Sequence, residues 1–487
     1  MQASAVIPGS EQNAAKKDIK AFPIIFVFIM SAFIGLFNET ALNVALTELM
    51  QIFNVGASTV QWLTTGYLLT MGILVPISGL LIQRFTTRQL FIAALLFSSA
   101  GALIGAIAPS FGVLMVSRIV QAIGAALLLP LLFNTILVLI PAERRGASMG
   151  LIGLVIMFAP AIGPTIAGLL IEVLSWNYIF WISLFFLIIA FIIGWFKVEN
   201  VSETSKPRID MLSILLSTLG FGGVVFGFSS AGKGVDGWSS PVVLITLAIG
   251  LASLILFTVH QLKISAPLLD LRAFKSPMFA IGALMISLAM MVMMSSMLVL
   301  PMYLVSALAF STFSAGLILL PGSVLNGFMA PLMGKLFDKY GPKWLVLPGL
   351  ILVAAALWLF TGISLGSSVG FIIAVHILMM IGFSMIMMPV STNGLNELPP
   401  ELYPHGSAII NTLQQVFGAV GTAVAVSVMN NGSESFRSKA ENPNDSSILS
   451  AALTAGVQDT FLFSLIIAIV GILLAFFVKK AAVNRSH

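Results

Sequence analysis

Gly334-Lys335-Leu336-Phe337-Asp338-Lys339-Tyr340-Gly341-Pro342-Lys343 stands between two long apolar segments of the chain. Gly79-Leu80-Leu81-Ile82-Gln83-Arg84-Phe85-Thr86-Thr87-Arg88 stands between two others, 334 − 79 = 255 residues earlier. A second echo has nearly the same offset: Arg118-Ile119-Val120-Gln121-Ala122-Ile123-Gly124 answers His376-Ile377-Leu378-Met379-Met380-Ile381-Gly382, with 376 − 118 = 258. Agreement between the two offsets makes chance a poor explanation. The chain therefore reads as two homologous halves of parallel orientation, and halves of this kind enclose a site at the membrane midplane and rock about it.

Composition fixes the setting. Of 487 residues, 59% are hydrophobic and 8% charged, against about a quarter charged in soluble domains. Apolar runs of about twenty residues recur along the chain, which means helical spans and not the weakly alternating segments of a barrel. The predicted spans lie near 21–46, 57–82, 89–108, 111–140, 147–173, 178–196, 211–231, 241–261, 278–306, 314–334, 344–364, 368–392, 406–429 and 457–478, fourteen in all. The expected fold class is thus an all-α membrane protein of two six-helix bundles and an inserted pair. Its divisions are a polar tail at 1–20, a bundle at 21–200, an insertion at 201–276, a second bundle at 277–480 and a tail at 481–487. The tail at 1–20 precedes a span too long for a signal-peptide core and reads as retained.

Charge gives the orientation. Of 23 basic residues, 19 fall in the tails and loops on the N-terminal side, 3 (Lys233, Arg437, Lys439) on the opposite side, and one, Arg118, inside a span. By the positive-inside rule both termini are expected in the cytoplasm. The net charge of +5 is spread singly between spans, so no nucleic-acid partner is expected. The loop at 430–456, rich in Asn and Gly, is expected to be long and mobile. With Cys 0 and four scattered histidines, neither thiolate chemistry nor a metal cluster is expected. No phosphate-binding loop or nucleophile triad is apparent, so the chain is not expected to be an ATP-driven pump or an enzyme, nor to need a cofactor.

Glu39, in Phe37-Asn38-Glu39-Thr40-Ala41-Leu42-Asn43, is the acid placed deepest in a span. A charge there costs roughly 2.5–3.5 kcal/mol on insertion scales and marks a functional site by default. Glu39 lies 7 residues from the predicted end of its span, and Arg118 lies 7 residues from the start of its own. At 1.5 Å per residue both sit roughly 10 Å below the same surface, level with each other. The arginine favours the ionised acid and the apolar surroundings favour the neutral one; a proton carrier needs the two nearly balanced. His376, at the position of Arg118 in the second half, is a second titratable candidate on the pathway.

These residues resemble the major facilitator superfamily, specifically its fourteen-span drug:proton antiporters, over essentially the whole chain. The loop motif G-x-L-x-D-R-x-G-R-R/K is kept in the second half by Gly334, Asp338, Lys339, Gly341 and Lys343. In the first half it is degraded, with Gly79, Arg84 and Arg88 present but Gln83 at the aspartate and Thr86 at the second glycine. The resemblance implies a breakable charge latch here. Gly150, Gly153, Pro160, Gly163, Pro164 and Gly168 are similar to the antiporter signature G-x-x-x-G-P-x-x-G-G, which implies export in exchange for protons. In the first-span motif L-D-x-T-x-V-N-V-A-L-P the family aspartate aligns with Asn38, one position before Glu39. The Asn-Glu-Thr variant looks like that of lincomycin-resistance exporters of Gram-positive bacteria.

Flexible methionines crowd the ninth and twelfth spans, Met294 and Met380 among them, and suit a promiscuous apolar cavity. Expected cavity residues are Asn38, Asn43, Gln61, Trp62, Tyr67, Gln121, Met294 and Gln414, with proton coupling at Glu39, Arg118 and His376. The expected function is proton-driven export of amphipathic drugs or antibiotics across a bacterial plasma membrane, with small molecules, protons and the lipid bilayer as partners and no obligatory protein partner. Export of one endogenous metabolite or lipid, and a non-transporting sensor of the same fold, stay open.

Overall fold

The structure, a computed structural model, describes residues 21–55, 57–60, 62–141, 144–201, 204, 210–231, 237–265, 267–440 and 445–481. The polar tails at 1–20 and 482–487 lie outside these. Among the described residues, fourteen long helices are apolar enough to cross a membrane. The first half comprises α1 (Ala21–Ile52), α2 (Trp62–Arg84), α3 (Thr87–Ala106), α4 (Phe111–Leu139), α5 (Arg145–Val173) and α6 (Tyr178–Lys197). The inserted pair is α7 (Met211–Ala231) and α8 (Pro241–Lys263). The second half comprises α9 (Pro277–Met302), α10 (Thr312–Tyr340), α11 (Lys343–Thr361), α12 (Val369–Glu397), α13 (Tyr403–Arg437) and α14 (Ser446–Ala475).

The repeat is a repeat of packing. In the first half α1 packs on α4, α5 and α6, α2 on α4, and α3 on α4 and α6; adding eight to each label gives the pairings of the second half. The halves then meet through two equivalent seams, α2 with α13 and α5 with α10. The inserted helix α7 packs on both α2 and α13, so the pair closes over one seam and leaves the other bare.

Several helices outrun their apolar cores. α1 continues to Ile52, six residues past the expected end, and a short helix at Ala57–Val60 precedes α2. The long loop expected at 430–456 is mostly helix. Asn430, Asn431 and Gly432 belong to α13, α14 begins at Ser446, and a Cβ on Gly432 would stand 2.9 Å from the Gly456 backbone. Small residues let the two helices keep packing beyond the apolar zone, which polarity alone conceals.

The quoted motifs, too, are largely helical. Gly79 to Arg84 ends α2 and Gly334 to Tyr340 ends α10. Thr86, in place of a family glycine, is the N-cap of α3: its hydroxyl accepts from Gln89 N–H while the Gln89 side chain accepts from Thr86 N–H. Such a box is worth about 1 kcal/mol. Gly341 stops α10 at φ +79°, a left-handed conformation that glycine alone adopts without strain. Most basic residues sit at the helix ends of this side, hereafter the basic face; the other is the far face.

Candidate transport site

A cavity of about 410 Å³ lies between the halves, walled from the middle of the helices toward the far face. Glu39 and Thr40 enter it from α1, Pro160 and Thr165 from α5, and Val225 and Ser229 from the inserted α7. The second half contributes Met294 and Met297, Asn326, His376, Met380, Gln414 and Gln415. Glu39 is the one acid among the described lining residues, and none of these is a lysine or arginine. Elsewhere the lining is mostly apolar, which suits an amphipathic guest.

The antiporter signature shapes the wall beside Glu39. A Cβ at Gly163 would strike the Thr40 hydroxyl and stand 3.5 Å from Ala41 N and Phe37 O, so the bare glycine lets α1 seat on α5 at the turn that carries the acid. Gly168, half-buried, follows one turn further along α5. The Pro164 side chain lies outside the described residues.

Arg118 is fully buried behind this wall. Its Nε donates to Leu63 O at 3.3 Å and its Nη1 to Gln121 Oε1 at 3.0 Å, and the guanidinium lies 4.2 Å from the Tyr67 ring centroid. Tyr67 in turn donates its hydroxyl to Gly35 O of α1 at 3.1 Å, one turn before Glu39. Arg118 and Glu39 are within electrostatic reach, without a direct ion pair. One guanidinium nitrogen, Nη2, is buried with no hydrogen-bond acceptor.

Four expected cavity residues sit elsewhere. Asn38 is buried against α6, donating to Ile34 O at 3.0 Å and accepting from the Ser183 hydroxyl at 3.0 Å. One residue along a helix is a turn of about 100°, enough to put Asn38 in the packing and Glu39 in the cavity. Tyr67 and Gln121 are spent on Arg118. Trp62 is exposed and packs on Phe226 of α7, ring centroids 5.5 Å apart. Gln61 and the Asn43 side chain lie outside the described residues. Ser229 and Val225 were missed because the insertion carried no motif.

At the basic face hydrogen bonds join the halves. Asp338 caps α5 across the seam, its Oδ1 accepting from Gly146 N–H at 2.9 Å and its Oδ2 from Ala147 N–H at 3.0 Å. A carboxylate at a helix N-terminus is favoured by the orphan amides and the helix dipole, and Lys480 lies within electrostatic reach of this one. Lys339 instead lies over Tyr340, 5.0 Å from the ring centroid. The glycine positions permit the approach: a Cβ on Gly150 would stand 2.6 Å from Ala330 O, and one on Gly334 would overlap Gly146 O.

The equivalent contact in the other seam is neutral. Gln83 meets His405 Nε2 at 2.7 Å, and His405 Nδ1 accepts from Asp270 N–H at 3.2 Å. Gly79 sits 3.3 Å, through a Cβ it lacks, from Pro404 O. Burial would raise the Asp270 carboxyl, but hydrogen bonds from Arg272 outweigh it and hold the acid below its usual range. Arg84 is half-buried at the end of α2. Arg88 binds within its own half, to Trp195 O at 2.8 Å.

Arg145 completes the closure and was legible only as an orienting charge. Its Nη1 donates to Asn396 Oδ1 at 3.0 Å and to the Tyr403 hydroxyl at 3.1 Å, while Nε donates to Ile140 O at 3.0 Å. The basic face is therefore shut in this conformation and the cavity lies on the far side of the closure.

Comparison with known proteins agrees with this architecture. The family model described as Major Facilitator Superfamily matches residues 28–422. Lincomycin resistance protein LmrB of Bacillus subtilis (strain 168) is 58% identical over 97% of this chain and 98% of its own length. The protein of the same name from Listeria innocua is 56% identical over 97% and 99%. Among solved structures, the human organic anion transporter MFSD10 (TETRAN) superposes with TM-score 0.68 over 94% of this chain and 99% of that one, at 13% identity, a likeness of fold alone.

Proposed function

The chain belongs to the Major Facilitator Superfamily, and on that premise we propose that this transporter exports amphipathic, drug-like compounds from a bacterial cytoplasm in exchange for protons. The basic face is then cytoplasmic, by the positive-inside rule, and the closed basic face makes this the outward-facing conformation. The observation that carries the proposal is the pairing of Glu39, in the cavity wall, with Arg118, buried within electrostatic reach behind it.

From the outward-facing cavity Glu39 takes up a proton. The neutral acid releases its hold on a cationic or hydrogen-bonding substrate, and the cavity can close on the far side without burying an ionised carboxylate. Facing inward, Glu39 gives the proton to the cytoplasm, and its carboxylate is stabilised by Arg118, whose Nη2 lacks an acceptor. The names of the two relatives point to a lincosamide as the first compound to try.

The test uses everted vesicles from an efflux-deficient host. Lincomycin added to energised wild-type vesicles should collapse part of the proton gradient, and Glu39→Gln should reduce that response and the resistance of whole cells at least ten-fold. Wild-type exchange in Glu39→Gln would refute the proposal.

A further inference from the structure

The two halves treat one pair of equivalent positions in opposite ways. Arg118 on α4 stacks on Tyr67 of α2. The residues 258 and 255 positions later are His376 on α12 and Gly322 on α10. The aromatic ring is gone, and the imidazole fills its place: a Cβ added to Gly322 would stand 2.9 Å from His376 Cε1 and closer still to Nδ1. Arg118 is walled off from the cavity, whereas His376 lines it.

His376 Nδ1 is sealed against this glycine without a hydrogen-bond partner. A proton on it would be a buried donor with nothing to receive it, so the neutral ring carries its proton on Nε2. That nitrogen is the polar atom of His376 left open to the cavity. One turn along α10 from Gly322, Asn326 donates its Nδ2 to Met380 O at 2.8 Å. This fixes the amide orientation and leaves Oδ1, buried and with no donor, as an acceptor in the same wall. Met380 is itself one turn along α12 from His376, so the two groups belong to neighbouring turns of one wall.

We infer that Asn326 Oδ1 and His376 Nε2–H form an uncharged polar subsite that takes a neutral group able to both donate and accept, a carboxamide or hydroxyl, on the part of the substrate remote from Glu39. A buried acceptor left empty costs free energy that a matching group recovers, which is how such a site rejects analogues lacking the group. The inference rests on the export reading and adds to it a substrate class: a lipophilic compound with a cationic or basic group for Glu39 and a carboxamide or hydroxyl for α10 and α12. His376 then serves recognition and takes no part in proton transfer.

Tetraphenylphosphonium and its analogue with one para-carboxamide form a matched pair of probes. Their dissociation constants are measured on the full chain in lipid nanodiscs, and their transport in vesicles. The carboxamide should improve affinity about ten-fold in wild type. Asn326→Leu and His376→Phe should remove that advantage, read within each variant as the ratio of the two dissociation constants, and a wild-type thermal midpoint in detergent reports that each variant is folded. Gly322→Ala, whose methyl would meet the imidazole at Nδ1 and Cε1 and displace the ring, should act like His376→Phe. Equal affinity of wild type for the two probes, or an advantage that survives in Asn326→Leu, overturns the subsite and leaves the export reading intact. Transport of neither probe and no lincomycin-driven proton movement removes both.

Discussion

Arg145 and Tyr403, 258 positions apart, are equivalent residues of the two halves, and they touch: the guanidinium donates to the phenol at 3.1 Å with its carbon 5.0 Å from the ring centroid. Equivalent residues meet only near the pseudo-twofold axis. Arg145 thus closes the basic face at the one place where both halves present the same position.

Arg145→Leu should loosen that closure. A hydrogen bond from a charged donor is worth about 1.5–3 kcal/mol, and the variant loses several. The closed form should lose about 2–4 kcal/mol relative to the form open at the basic face. Because the chain has Cys 0, an Ala408→Cys substitution supplies a single thiol in the α2–α13 seam. Its reaction with a maleimide added from the basic side should quicken at least ten-fold in the Arg145→Leu background.

Restoring the acid of the family motif should not restore coupling. In Asn38→Asp/Glu39→Gln the acid would sit against Ser183 and Ile34 O, 4% exposed and away from the cavity. Efflux should stay as low as in Glu39→Gln alone, and the thermal midpoint should fall because an unpaired acid is buried. Rescue of lincomycin resistance by the double variant would show that residue 38 does reach the pathway.

Gly163→Ala places a methyl on the Thr40 hydroxyl. Overpacking of this kind costs about 1–3 kcal/mol and here displaces the turn carrying Glu39. Transport should drop several-fold with expression unchanged, and Thr40→Ala in the same chain should recover part of it. Equal losses in the single and double variants would mean that the clash is not the cause.

At the basic-face end of α7, the Ser213 hydroxyl, His260 and the Ser213 amide hold the Asp210 carboxyl down at about 2 against the opposing effect of burial. A carboxylate depressed on folding adds stability that is present above its unfolded value near 3.8 and lost as pH falls toward 2. Asp210→Asn should therefore lower the melting temperature at pH 5, and the difference from wild type should shrink between pH 4 and pH 2.

The fold was legible because hydropathy counts helices and the two echoes show how the halves repeat. Helix ends were less so: Asn430, Asn431 and Gly432 read as a loop although small residues keep α13 on α14. Glu39 stood out because an acid is costly in hydrocarbon. Its neighbour Asn38 was misplaced because a short motif does not record which way a helix is turned. Arg145 was invisible as a closure residue, since a cation at a helix start has a sufficient explanation in orientation. The gap opposite His376 was invisible too, because one glycine among 42 carries no sign of what fills its space.

The unlike latches of the two seams set an order of events. On the α5–α10 side backbones touch through glycines and a carboxylate grips a helix end. On the α2–α13 side an amide meets an imidazole, and the segment after α8 ties in at Asp270. The weaker side is the one that the inserted pair covers. When the molecule turns inward it should part there first and pivot on α5 and α10, like a book whose spine is glycine and whose clasp is His405.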